Sequence, residues 1–160
     1  MHRSTKCLIP LLVVLASACS GGGGDSTAPP PSYNDVSGSY SGPMSGIDQG
    51  VIITADFAVT IGQNASTLSG TYALTGQITD GVTTAVIQGT GTLAGTIAAG
   101  TNPSVNLTAH SGSCPNHSAT FSGSYDTSNQ RMTITGPVQI YSTDCSSVLL
   151  TYQTTFILNH

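Results

Sequence analysis

The segment 51–61 constrains the fold more tightly than any other part of the chain. Val51, Ile53, Ala55, Phe57, Val59 and Ile61 are apolar and alternate with Ile52, Thr54, Asp56, Ala58 and Thr60. A period of two puts the first set on one face of an extended strand, whereas a helix would scatter it around its circumference. A strand with one buried face needs further strands to bury it. Val36, Gly38, Tyr40, Gly42 and Met44 form a shorter strand before it, and Leu68, Gly70, Tyr72 and Leu74 carry the inward face of the next. The same reading continues through Val105-Leu107-Ala109, Phe121-Gly123-Tyr125, Met132-Ile134-Gly136-Val138-Ile140 and Val148-Leu150-Tyr152-Thr154-Phe156-Leu158. Eight strands are expected, at 36–44, 51–62, 66–78, 82–97, 104–110, 117–126, 130–141 and 147–158.

Asp80-Gly81 between Thr79 and Val82 reads as a two-residue hairpin turn. Folding the chain about it places Leu74 opposite Ile87, Tyr72 opposite Gly89 and Leu68 opposite Leu93. That register supplies an inward face for 83–97, whose own alternation is ambiguous, and sets an aromatic ring over a strand glycine. Ser-Gly-Ser/Thr-Tyr recurs at Ser37–Tyr40, Ser69–Tyr72 and Ser122–Tyr125 with unequal spacing, so it marks a repeated local need and not a solenoid. Short connections and inward glycines favour an all-β, eight-stranded antiparallel up-and-down meander closed into a barrel. A β-sandwich is the runner-up, because alternation is common to both.

The N-terminus carries a different kind of pattern. Arg3 and Lys6 precede an apolar run, Leu8 to Ala16, that is too short to span a bilayer and has the size of a signal-peptide core. Beyond it the chain has one arginine, Arg131, against seven aspartates and no glutamate, a net charge of 1 − 7 = −6 before histidine is counted. Phosphate neutralisation, and with it nucleic-acid binding, is excluded. So is attraction to an anionic bilayer surface. Serine and threonine number 44 in the whole chain, which suits a pleated surface coated in hydroxyls and offers little to helices.

Leu15-Ala16-Ser17-Ala18-Cys19, followed by Ser20 and four glycines, resembles the lipobox of bacterial lipoproteins. The resemblance implies a signal peptide at 1–18, a lipid-modified Cys19 and membrane anchoring through acyl chains such as palmitate. It also implies a cell-envelope location, and Ser20 is similar to the outer-membrane sorting choice. Residues 19–35 then form a disordered Gly/Pro-rich tether reaching on the order of 20 Å, and 36–160 the barrel domain. The run from Gln88 to Ile97, alternating Gly-Thr with single apolars, is similar to small β-barrel lipoproteins that have no assigned activity.

On this reading Cys7 leaves with the leader and Cys19 is taken by lipid, so Cys114 and Cys145 are expected to pair. In a meander the connections after strands one, three, five and seven share one end, so both cysteines fall there. Asp48, Asp80, His110, His117 and Asp144 gather at the same end. It should face away from the membrane, because the tether enters at the other.

His110, Cys114 and His117 have metal-ligand spacing, with Asp144 near Cys145; the plainer reading is a disulfide-closed loop beside solvated histidines. No nucleophile elbow, His-Glu-x-x-His or phosphate loop occurs. The sequence therefore implies no catalytic residue set, no cofactor and no resident metal. The inward tyrosines Tyr40, Tyr72, Tyr125 and Tyr152 either fill the barrel or line a cavity. The functional expectation is a non-catalytic binding or interaction module, for a small apolar ligand or an envelope protein partner. The alternative is a metal protein or enzyme using His110, His117, Asp144 and Asp48. Oligomeric state is not encoded in any pattern of this chain.

Overall fold

The computed structural model describes residues 29–160; the leader, Cys19 and most of the tether lie outside the described residues. Eight antiparallel strands close into an up-and-down barrel in sequence order. They are β1 (Gly38–Asp48), β2 (Val51–Asn64), β3 (Thr67–Thr79), β4 (Thr84–Ile97), β5 (Ser104–Ser111), β6 (Ser118–Asp126), β7 (Arg131–Tyr141) and β8 (Val148–Asn159).

The alternating residues point as the period-two pattern requires. Phe57 and Phe156 are buried inside the barrel, Tyr72 packs against them, and Asp56, Thr71 and Thr155 are exposed. An aromatic column fills the interior, with ring centroids 4.4 Å apart for Phe57–Phe156, 5.7 Å for Phe121–Phe156 and 5.7 Å for Phe57–Tyr72. Outward strand positions are mostly serine and threonine, as in the run Thr60, Thr71, Thr92 across β2, β3 and β4. A membrane-spanning barrel has the opposite arrangement, with an apolar band outside.

Two turns differ from the sequence expectation. Asp80-Gly81 is not a two-residue hairpin loop; the connection is Asp80–Thr83, four residues, because the Asp80 carboxylate organises it. Its Oδ1 accepts hydrogen bonds from the Val82 N–H at 2.9 Å and the Thr83 N–H at 2.6 Å. The register moves by two: Leu74 faces Gly89, Tyr72 faces Gly91 and Leu68 faces Gly95. A shift of two preserves which face each residue occupies, so the inward set survives while every partner changes. The two-residue turn occurs instead at Gln49-Gly50, where both φ values are positive, 50° and 82°. This is the backbone that matches strand twist. It lets β1 run on to Asp48, paired with Val51, where the sequence ended the strand at 44.

The packed unit starts before Val36, at Pro31. Val36 is fully buried and Tyr33 packs on the core. The Gln63 side chain holds this segment, accepting from the Val36 N–H at 2.7 Å and donating to the Asn34 carbonyl at 3.0 Å.

Register pairing is shortest on the two outer sides of the β7–β8 hairpin, although the strands there remain adjacent. β7 and β8 pair from Arg131↔Asn159 to Tyr141↔Val148. β6 and β7 pair only from Asp126↔Arg131 as far as Ser122↔Thr135, and β8 meets β1 at the single register pair Ser41↔Asn159. Pro137 and Pro43 lie on two of the strands along these sides, as residues without an N–H to give a ladder should.

Candidate functional site

The connections 49–50, 80–83, 112–117 and 142–147 share one end of the barrel. Cys114 and Cys145 form a disulfide there with Cα atoms 5.6 Å apart. It joins the β5–β6 and β7–β8 connections, and so links the ends of β6 and β7 beyond their last register pair, Ser122↔Thr135. The loop beneath is built by local bonds: the Ser111 hydroxyl accepts from the Cys114 N–H at 3.1 Å, and the His117 N–H donates to the Cys114 carbonyl at 2.9 Å.

The residues expected to carry chemistry are largely engaged in structure. His117 stacks on Tyr141 with centroids 4.3 Å apart, and its Nε2 lies 2.8 Å from the Cys145 carbonyl oxygen. His110 is on the outer face of β5, exposed, between Thr92 and Ser118. Asp144 Oδ1 closes its own turn, accepting from the hydroxyls of Ser142 at 2.6 Å and Ser146 at 2.8 Å and from the Ser146 N–H at 3.1 Å. Those bonds pull the Asp144 carboxyl down to about 2. Asp48 Oδ2 accepts the Thr151 N–H at 3.2 Å and so ties β1 to β8. Among the described residues no three His, Cys, Asp or Glu side chains lie close enough together to hold a metal ion. The spacing His110, Cys114, His117 therefore does not become a ligand set: the cysteine is spent in the disulfide, and strand β5 turns His110 outward.

Two concave features occupy this end. The first is a cavity of about 70 Å³, lined by Phe57, Tyr72, Ala109, Phe121, Val138 and Tyr141, among others. Nearby on β4, a Cβ at Gly89 would meet nothing within 4 Å, whereas Tyr72 covers Gly91. Burial raises the Tyr72 phenol above its ordinary value, with Tyr141 nearby adding to the effect. A cavity of this size is about half of one that holds benzene, so it admits no sizeable ligand.

The second feature is a groove of about 230 Å³ across the mouth, lined by Val51, Ile78, Ala85 and Leu150 with Thr79, Asp80 and Thr83 at its edge. Toward the same end of the barrel lie six of the seven exposed large apolar side chains among the described residues: Ile47, Ile52, Val82, Val86, Val148 and Leu149. Val82 is 94% exposed and Ile47 71%. Monomeric proteins rarely gather such residues without a use for them. Sequence reading treated these positions as ordinary turn and strand residues. The available signal was that they sit beside turns, which a meander collects at one end.

No family model, curated protein or solved structure matches this chain.

Proposed function

We propose that this protein is a lipid-anchored envelope lipoprotein whose barrel is a non-catalytic binding module, engaging its partner with the disulfide-stapled end. The observation that carries the reading is the contrast between interior and rim. The interior is packed with aromatic side chains around a cavity of about 70 Å³, while the mouth exposes the groove and six apolar side chains lie toward the same end. His117 and the aspartates of that end hold turns and strands together, which leaves packing surface as its main offering.

The anchoring half of the proposal rests on the residues around Cys19. Two or more acyl chains give stable membrane residence where one would not. Palmitate labelling and membrane fractionation test it: wild-type protein should carry label and sediment with membranes, and Cys19→Ala should do neither. Unlabelled, freely soluble wild-type protein would overturn the anchor. The binding half is tested by the crosslinking experiment described next.

A further inference from the structure

We infer that the occupant of the mouth is a protein surface that presents apolar side chains flanked by lysine or arginine. This rests on the proposed function above and adds the chemistry of the partner.

The apolar part follows from geometry. Leu150 of β8 and Val51, Ile78 and Ala85 of β2, β3 and β4 line one groove, so three hairpins contribute to a single concave surface. Ile47 and Ile52 are register partners on the outer wall beside it, and Val86 lies on the outer face of β4. Partner side chains of Leu or Val size fit a groove of about 230 Å³, and burying each contributes through area removed from water.

The charged part follows from what surrounds the groove. Asp80 stands at its edge, Asp48 closes the neighbouring β1 terminus, and Asp144 lies in the β7–β8 connection. Local hydrogen bonds hold the Asp80 and Asp144 carboxyls below the usual range, so both stay ionised at neutral pH. Among the described residues no lysine or arginine lies at this end; Arg131, the one such residue among them, is at the opposite end, 3.8 Å from Asp126. A cationic rim on the partner complements this pattern and speeds encounter. A second copy would bring Asp80 and Asp144 against the same groups, and an anionic bilayer would be repelled. A basic, apolar protein surface meets neither obstacle.

The test uses the full chain in its own envelope, with a photo-crosslinking residue at Val82, Val86 or Leu149. Control positions at Asn102 and Ser128 lie in connections at the opposite end. The three mouth positions should give an adduct with one and the same protein, the attached peptide being apolar with adjacent Lys or Arg. Yield from Leu149 should fall at least about tenfold in a Val82→Ser/Val86→Ser background, as loss of central apolar contacts does, and severalfold in 0.5 M salt through screening. Circular dichroism of the double variant keeps folding separate from binding. Mouth adducts with lipid, with a second copy or with nothing overturn the inference. If protein adducts arise only from Asn102 and Ser128, the barrel still binds a protein but not with its disulfide-stapled end, which overturns this inference and the end named in the proposed function, though not binding itself. If neither end yields a protein adduct, the binding-module reading fails as well.

Discussion

Tyr72 lies against Gly91: a Cβ built on that glycine would stand 2.6 Å from Tyr72 Cε1, and closer still to the His110 carbonyl oxygen. Gly89, two residues earlier on the same face, has nothing within 4 Å. The aromatic ring thus covers a strand glycine, as the sequence suggested, but it covers the next inward one. Gly91→Ala should cost about 1–3 kcal/mol by overpacking. Gly89→Ala should be neutral or gain about 0.4–1 kcal/mol by restricting the unfolded chain. Urea titrations of the two variants check the register directly; equal effects would contradict it.

Two buried tyrosines differ in their hydroxyls. Tyr40 donates to the Val36 carbonyl at 3.0 Å and fixes the chain where it enters the barrel. The Tyr152 hydroxyl is buried with no hydrogen-bond partner among the described residues. Tyr40→Phe should cost about 1–2 kcal/mol, since it leaves a carbonyl unpaired. Tyr152→Phe should leave stability within about 0.5 kcal/mol of wild type or raise it. Paired denaturation curves decide this, and a larger loss for Tyr152→Phe would refute it.

The disulfide closes a 31-residue separation and links β6 to β7 beyond their last register pair, Ser122↔Thr135. Replacing both cysteines with alanine should lower stability by roughly 3–4 kcal/mol in the chain-entropy account. Hydrogen exchange should then rise first at Val138–Tyr141, which pair with β8 alone, and later in β2 and β3. Uniform loss of protection would show that the β6–β7 side is no weaker than the rest of the wall.

Asp35, Asp80, Asp126 and Asp144 all have carboxyls held below the ordinary aspartate range by local hydrogen bonds, Asp144 to about 2. A depressed folded-state value means the folded protein binds the proton less readily than the unfolded chain. The stabilisation is therefore complete above about pH 4 and is lost as pH falls towards 2. Denaturant midpoints measured from pH 6 to pH 2 should be flat at first and then fall, and Asp144→Asn should make the fall shallower. A midpoint that rises on acidification would reverse the sign and defeat the assignment.

Much of this molecule was legible before its coordinates. Alternation assigns each residue to a face, and eight such segments with short links imply that odd-numbered connections share an end. The meeting of Cys114 and Cys145 follows from that layout. Partner register was not legible, because lengthening the Asp80 loop by two residues leaves every face unchanged. Pro137 was a visible sign of an interrupted ladder, yet a proline cannot say which of its two neighbours it turns away from.

The sequence by itself determined the all-β class, the inward set and the end at which chemistry collects, since these depend on periodicity and chain order; only the structure decided for a closed barrel over a sandwich. The tertiary structure decided what that chemistry is for. Asp48, Asp144 and His117 resemble free ligands in a string of letters. Their oxygens and nitrogens prove to be engaged with Thr151, Ser146 and Cys145, while Val51, Ile78, Ala85 and Leu150 come together only when four strands do. A hydrogen bond or a groove depends on distances of a few ångströms between residues far apart in sequence, and only closure of the barrel sets those distances.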